Sequence, residues 1–175
     1  MDPTYRRIGD HTECFQVEFD PVVVSYGELL ELALTSHDPT RAAHREQYAS
    51  LALAHDDAQL ESARTVAERF ESRLGRRLIT RIEPLKRFYA AEDYHQKYHL
   101  RSDRVLMADF RAMLGQDEGA LRESPAAARA NGFIAGDGAR SQLEPVIDLL
   151  GLSEGGRARM MSRVLDGVCP RGCAI

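Results

Sequence analysis

The sequence predicts an α+β domain followed by a helical C-terminal extension. In the first hundred residues, short apolar runs with strand character alternate with amphipathic helical patterns, whereas only helical patterns and helix breakers follow. Apolar residues make up 43% of the 175 residues, enough for a core with an appendage. We therefore predict a mixed β-sheet layer with packed helices in residues 1–101, a helical extension in 102–167 and a cysteine-containing tail in 168–175.

The first predicted strand is "CFQVEFDP", in which Phe15, Val17 and Phe19 share one face and polar residues occupy the other. A helix follows in "SYGELLELALTS", where Ser25 and Glu28 have the spacing of a capping box. These patterns predict a half-buried strand and a helix with Leu29, Leu32 and Ala33 on one face.

Two further strands are predicted in "ASLALA" and "RLITRIEP", and Pro84 closes the second because proline cannot donate to a sheet ladder. Between them, "DDAQLESARTVAERFESRL" has the pattern of an amphipathic helix that ends at Gly75. The residues predicted to face inward from this helix are Leu60, Ala63, Ala67, Phe70 and Leu74.

The second half contains several predicted helices. "SDRVLMADFRAML" begins with Ser102 as its N-cap, and "SPAAARANGF" has Pro125 at its first position and Gly132 near its C-cap. "SQLEPVIDLLGLSEGGRARMMSRVL" divides into two helices around Gly151, with Ser153 as the N-cap of the second.

Composition and charge exclude several classes of function. A net charge of −4 gives no reason to expect nucleic acid as a partner. No apolar run approaches the roughly 18–20 residues that cross a bilayer, and the polar start "MDPTYRRIGDHTE" does not read as a secretory signal. The three cysteines do not form a disulfide framework. We expect a cytoplasmic protein with reduced thiols, no cofactor and no membrane partner.

Two histidines have the spacing of a possible metal site. His95 and His99 in "FYAAEDYHQKYH" are four residues apart and would share a helix face. Zinc proteases place a glutamate directly after the first histidine, whereas this chain has Gln96 and no evident third ligand. The sequence favours a helix start, with Glu92 and Asp93 near the positive end of its dipole.

Five segments occur in one order along the first half. They are "DPTYRRIGDHTE" (2–13), "VEFDPVVVSYGELLEL" (17–32), "SHDPT" (36–40), "QYAS" (47–50) and "RFYAAEDYHQKY" (87–98). Together they resemble the methionine sulfoxide reductase A family, the peptide-methionine (S)-S-oxide reductases, over residues 2 to about 100. The short loop between "HDPT" and "QY" and the helical C-terminal part look like a divergent branch.

The resemblance implies a mechanism for repairing oxidised proteins. In the family, a cysteine thiolate attacks the sulfoxide sulfur and becomes a sulfenic acid, a second thiol resolves it, and thioredoxin usually restores the thiols. A glutamic acid and two tyrosines polarise the sulfoxide oxygen, and by position these match Glu13, Tyr5 and Tyr48. The implied partners are proteins or peptides that contain methionine sulfoxide, with thioredoxin as the reductant.

Strand alternation adds an expectation about two neighbouring residues. Glu13 has the parity of Phe15, so its carboxyl is predicted to face the apolar side, where desolvation favours the neutral acid. Cys14 falls on the opposite face, so its thiol is predicted to point away from the site.

Three departures from the family pattern affect the expected activity. The nucleophile motif "GCFW" precedes "PTYR" in the family and does not occur in these 175 residues; the "GND-x-GTQ" aspartate is missing; and Ala49 replaces an arginine. We therefore expect a truncated member of the family that lacks the first strand and helix and is weakly active or inactive. The alternatives are a non-catalytic relative that binds oxidised peptides, or a helical extension that binds a protein partner.

The tail "GVCPRGC" offers a second candidate for thiol chemistry. Cys169 and Cys173 loosely resemble the resolving cysteines that the family often carries in glycine-rich C-terminal tails. They are candidate redox or resolving thiols, and two incidental tail cysteines are the alternative.

Overall fold

A computed structural model describes residues 3, 4 and 7–164. The chain forms two compact units that divide between Ala90 and Ala91. The first combines helices with a small sheet, and the second is helical in its described part, so the predicted α+β class is confirmed. The three predicted domain ranges remain a prediction.

The first unit is built on a parallel pair of strands. Its elements are α1 (Tyr26–Thr35), a 3₁₀ turn (Glu46–Tyr48), β1 (Leu51–Ala54), α2 (Asp57–Leu74) and β2 (Arg81–Pro84). In the sheet, Leu51 lies opposite Arg81 and Ala54 lies opposite Pro84. Both later strands are confirmed, and Pro84 stands at the end of its strand as predicted.

Local capping fixes the two helices of this unit. The Glu28 N–H donates to the Ser25 hydroxyl at 3.2 Å, and the Ser25 N–H donates to the Glu28 carboxylate at 2.8 Å. The predicted capping box is therefore confirmed. Helix α2 begins at an Asp56 cap and ends at Gly75, whose φ of 64° lies in the left-handed region that favours glycine.

The core of the first unit lies where α1 and α2 pack together. Its buried residues are Leu30, Leu34, Ala63, Val66 and Phe70. On α2 the buried face therefore runs through positions 63, 66 and 70, and burial of Val66 was not predicted from the sequence. Leu74, which was predicted to face inward, is exposed because it lies in the last turn beyond this buried face.

The predicted strand over residues 14–21 is wrong. This segment forms no strand, and the side chains of Phe15 and Val17 are 82% and 51% exposed. Between residues 14 and 19 no backbone group is hydrogen-bonded to another described residue. Alternating apolar side chains make a strand only where a neighbouring strand completes the ladder, and none lies beside this segment among the described residues.

The second unit contains six helices and two 3₁₀ segments in its described part. They are a 3₁₀ turn (Asp93–His95), α3 (Tyr98–Ser102), α4 (Arg104–Leu114), α5 (Glu118–Glu123), α6 (Pro125–Ala135), α7 (Arg140–Leu143), a 3₁₀ segment (Glu144–Leu150) and α8 (Glu154–Arg163). They surround a core whose largest side chains are Leu100, Leu106, Phe110, Leu121, Leu143, Leu150 and Met160. Lys97, at a φ of 53°, separates the first turn from α3, so "FYAAEDYHQKY" does not form one continuous helix start.

Two predicted helix ends are displaced. Helix α4 is capped by Asp103 and not by Ser102, which is the last residue of α3. Helix α6 continues through Gly132 and ends at Gly136, whose φ is 93°. The predictions of Pro125 at the first position of α6 and of Ser153 as the N-cap of α8 are confirmed.

Asp103 joins the start of α4 to α8. One oxygen accepts hydrogen bonds from the N–H groups of Val105 (3.2 Å) and Leu106 (3.3 Å), and the other accepts from Arg159 Nε at 2.8 Å. Arg163 Nε lies 3.8 Å from the second oxygen. Only 3% of Asp103 is exposed, so a buried carboxylate serves two helices at once.

A second carboxylate of α4 holds the start of α8. Asp109 Oδ2 accepts hydrogen bonds from the Ser153 N–H at 3.0 Å and from its hydroxyl at 2.9 Å. The same Ser153 oxygen accepts from the Gly156 N–H at 3.1 Å. Gly156 is buried and faces Asp109, so α8 approaches α4 through a position without a side chain.

Candidate functional site

Glu13 and Tyr48 are held in neighbouring segments by a set of hydrogen bonds. The Glu13 N–H donates to the Gln47 carbonyl at 2.9 Å, and the Gln47 side-chain amide donates to Glu13 Oε1 at 2.6 Å. The Thr12 hydroxyl donates to the Glu46 carbonyl at 2.8 Å. Residues 12 and 13 are thereby fixed beside the 3₁₀ turn that carries Tyr48.

The expected burial of Glu13 is wrong. Glu13 is exposed, because the segment it belongs to is not a strand and has no apolar face to turn inward. Its carboxyl accepts a hydrogen bond from the side-chain amide of Gln47. The contacts with Gln47 place Glu13 beside the segment that carries Tyr48, and the catalytic roles of both residues stay predictions.

Tyr48 lines an open cavity of about 380 Å³. Its side chain is 56% exposed, and His37, Arg41, His44 and Ser50 line the same cavity. Glu13 is not among the lining residues. Tyr5 lies outside the described residues.

A chain of hydrogen bonds connects two of the residues that line this cavity, His37 and Ser50. His37 Nδ1 lies 2.9 Å from the Ala33 carbonyl, which can only accept, so this nitrogen carries a proton. In the neutral ring, Nε2 is then an acceptor, and the Ser50 hydroxyl 2.9 Å away donates to it. Thr80 Oγ1 lies 2.8 Å from Ser50 Oγ and completes the chain. The end of α1 is thus tied to the residues that precede both strands.

A second cavity of about 280 Å³ shares Arg41 and Ser50 with the first and is also lined by Arg45, Glu46 and Arg81. The Arg81 guanidinium pairs with the Glu46 carboxylate and lies 3.5 Å from that of Glu83. This basic lining was not predicted from the sequence. Its signal is present in "RAAHRE", where two arginines and a histidine fall within five residues.

Cys14 is exposed as a residue, but partial burial of its thiol raises the pKa of that group. Less of it is therefore thiolate at neutral pH, and the thiolate is the nucleophilic form. Cys169 and Cys173, the candidate redox or resolving thiols, lie outside the described residues.

Neither a metal-binding cluster nor a membrane-spanning helix occurs among the described residues. No group of three or more histidine, cysteine or acidic side chains among them is arranged to hold a metal ion. None of the helices in this part of the chain is long and apolar enough to cross a membrane.

Comparisons with known proteins identify the family. The family model described as "Peptide methionine sulfoxide reductase" matches residues 1–120. A peptide methionine sulfoxide reductase of Drosophila melanogaster is 37% identical over 153 residues, which cover 86% of this chain and 61% of the relative. Peptide methionine sulfoxide reductase MsrA of Haloquadratum walsbyi is 37% identical over 106 residues, covering 55% of this chain and 61% of the relative.

A solved structure agrees with these relatives. The crystal structure of Mxr1 from Saccharomyces cerevisiae in reduced form is 35% identical, with a TM-score of 0.53, and the match covers 57% of this chain and 60% of that one. The present chain thus spans about three fifths of the length of the relatives it matches. Because the family model covers more than half of its residues, the chain belongs to the peptide methionine sulfoxide reductase family.

Proposed function

We propose that this chain takes part in the thiol-dependent reduction of methionine-S-sulfoxide in oxidised proteins and peptides. Family membership supports this activity. The single observation that carries it in this chain is the pair of hydrogen bonds between Glu13 and Gln47, because they hold Glu13 beside the turn of Tyr48.

In this proposal Tyr48 and Glu13 act on the sulfoxide oxygen. The S–O bond is polar, with negative charge on oxygen, so a hydroxyl that donates to the oxygen makes the sulfur a better electrophile. Tyr48 supplies that hydroxyl, and Tyr5 is proposed as a second donor. The side-chain amide of Gln47 donates a hydrogen bond to Oε1 of Glu13. In this proposal, Oε2 donates the proton to the sulfoxide oxygen as the S–O bond of the substrate breaks.

The reduction needs two electrons, and thiols supply them. As a thiol sulfur bonds to the sulfoxide sulfur, the protonated oxygen is transferred from the substrate sulfur to the thiol sulfur. The S–O bond of the substrate and the transient S–S bond break, a new S–O bond forms, the thiol is oxidised to a sulfenic acid and the reduced methionine thioether leaves. A second thiol then condenses with the sulfenic acid to a disulfide, releasing water. We propose Cys169 and Cys173 as resolving or recycling thiols and thioredoxin as the dithiol that reopens the disulfide.

Binding of a sulfoxide ligand tests the role of Tyr48. Tyr48→Phe is expected to weaken binding of a peptide with a central methionine-S-sulfoxide by about five- to tenfold, since one neutral hydrogen bond contributes about 1 kcal/mol. Glu13→Gln is expected to weaken it by a similar factor. Isothermal titration calorimetry measures both values.

Two controls make this measurement specific. The matched thioether peptide lacks the oxygen and should bind wild type and Tyr48→Phe equally weakly. Tyr94→Phe alters another exposed tyrosine, outside the candidate site, and should leave affinity unchanged. Equal binding of sulfoxide and thioether by the wild type would contradict the proposal.

A second function is favoured by the raised pKa of Cys14. Because burial raises the pKa of the Cys14 thiol, less of it is present as the nucleophilic thiolate, so the second candidate function is binding of oxidised peptides without their reduction. Mass spectrometry of the peptide after incubation with dithiothreitol separates the two functions. Loss of one oxygen atom supports reduction, and an unchanged peptide that still binds supports the binding function.

The proposed recycling role of Cys169 and Cys173 predicts a reversible disulfide between them. Mild peroxide should yield an intramolecular Cys169–Cys173 bond by mass spectrometry, and thioredoxin should reopen it. The Cys14→Ser variant is the control and should behave like wild type. If the two thiols were over-oxidised independently and formed no disulfide, they would be incidental cysteines without a recycling role.

A further inference from the structure

The loop between α1 and β1 forms a basic groove beside Tyr48. We define the basic groove by Arg41, His44, Arg45, Tyr48, Ser50 and Arg81, which line the two adjoining cavities. We infer that it binds the carboxylate of an acidic residue next to the methionine sulfoxide, so that the chain prefers acidic oxidised peptides. This inference rests on the proposed function for the sulfoxide, whereas the charge preference comes from the groove.

The positive charges of the groove differ in how far they are neutralised. Arg81 is paired with Glu46 and is also near Glu83, so its charge is largely compensated. Arg45 makes no ion pair with any other described residue, although it lines a cavity. Its guanidinium is therefore available to a carboxylate of a ligand.

Arg41 lines the same cavity as Tyr48. Asp38 also lines this cavity, and its carboxylate accepts hydrogen bonds from the Thr40 N–H at 3.0 Å and from the Thr40 hydroxyl at 2.7 Å. Asp38 thus has its own hydrogen-bond donors and faces Arg41 only as a nearby charge. If Arg41 pairs with a carboxylate of a ligand, Asp38 therefore still has the hydrogen-bond donors of Thr40.

The geometry lets one peptide reach both features. Arg41 and Tyr48 line the same cavity of about 380 Å³, which lies within the usual range for ligand pockets. Ala42 and Ala43, which also line it, have small side chains that leave room for a bound residue. A methionine sulfoxide at Tyr48 therefore places a neighbouring side chain near Arg41.

A carboxylate suits the groove better than a polyanion. Guanidinium groups bind planar carboxylates with two parallel hydrogen bonds. The chain as a whole carries a net charge of −4, so its positive potential is local to a few residues. A local site of this kind fits a single acidic side chain of a peptide.

The test uses three fluorescent peptides with the same central methionine-S-sulfoxide, flanked by glutamates, glutamines or lysines. Anisotropy titrations of the full chain are expected to give about two- to tenfold tighter binding of the glutamate peptide than of the glutamine peptide. The lysine peptide should bind most weakly. Raising the salt concentration should shrink these ratios, because exposed ion pairs are screened.

Variants assign the preference to the groove. The double variant Arg41→Ala, Arg45→Ala is expected to bind the glutamate and glutamine peptides equally. Arg64→Ala removes an exposed arginine of α2 that lines neither cavity, and it should retain the wild-type ratio. Arg41→Lys keeps the charge and should retain part of the preference.

The outcomes separate this inference from the proposed function. Suppose that the glutamate and glutamine peptides bind equally and that Tyr48→Phe weakens both. This result would contradict the inferred charge preference of the basic groove but leave the proposed function standing. A glutamate preference that survives the double variant would also overturn the groove. Absence of binding by all three sulfoxide peptides would overturn both.

Discussion

Asp103→Ala is expected to lower the free energy of unfolding by about 2–3 kcal/mol. Two losses contribute: the N-cap of α4, worth about 1 kcal/mol, and the charge-assisted bond to Arg159, worth about 1–2 kcal/mol because that arginine is partly exposed. Urea denaturation monitored by circular dichroism measures the change. Asp103→Asn is the matched variant, since asparagine also caps helices, and it should lose only the second contribution.

The pH dependence of this effect has a definite sign. Burial alone would raise the pKa of Asp103, but the bonds from Arg159 and from the N–H groups of Leu106 and Val105 outweigh it, so the pKa lies below its ordinary value. A carboxyl with a depressed pKa stabilises the fold above its unfolded pKa of about 3.9 and ceases to do so as pH falls through the folded pKa.

The stability gap between wild type and Asp103→Asn should therefore be largest near neutral pH and close in acid. Glu118, whose pKa is lowered by hydrogen bonds from Arg101 and Arg111, is present in both proteins and cancels in the difference. A gap that stays constant from about pH 7 to pH 2 would contradict the assigned role of the Asp103 charge.

Gly156→Ala is expected to lower the free energy of unfolding by about 1–3 kcal/mol, although alanine favours helices. Its added methyl group would overlap the Asp109 carboxylate and lie 3.3 Å from Cβ of Leu152. Asp109 could rotate away only by giving up its two hydrogen bonds to Ser153. Thermal and urea unfolding measure the effect.

The neighbouring glycine is the control for this substitution. Gly155 is exposed in the same helix, and a methyl group there would meet only Ser153 Oγ, at 3.8 Å. Gly155→Ala should therefore stabilise the protein by about 0.5–1 kcal/mol through helix propensity. If both variants were stabilised alike, the close approach of α8 to Asp109 would be refuted.

Features that depend on neighbouring residues could be predicted from the sequence. The capping box of Ser25 and Glu28 involves residues three apart, and the left-handed end of α2 at Gly75 needs only one residue type. The strands β1 and β2 were also predicted, because short apolar runs flanked by turn residues leave few alternatives.

Features that depend on residues far apart in the sequence could not be predicted from it. Ser102 and Asp103 are both good caps, and Asp103 has in addition an arginine 56 residues away that its second oxygen binds. Phe15 and Val17 alternate as in a strand, but a ladder needs a second segment that the pattern itself does not reveal.

The candidate site shows the same division. The family resemblance gave Glu13 and Tyr48, and the hydrogen bonds through Gln47 bring their segments together. The basic groove was not predicted, because Arg41 and Arg81 are distant in sequence and line one cavity only after β1 and β2 have paired. Their roles in sulfoxide binding and in charge selection stay predictions.

The parallel pairing of β1 with β2 has a kinetic consequence. Leu51 meets Arg81 only after the whole of α2 has been traversed, so the sheet cannot nucleate from a tight turn. The entropy of closing that long loop must be lost before the first ladder bond forms. The turn beside β1, which carries Tyr48, is therefore expected to acquire its final position late in folding, after α2 has formed.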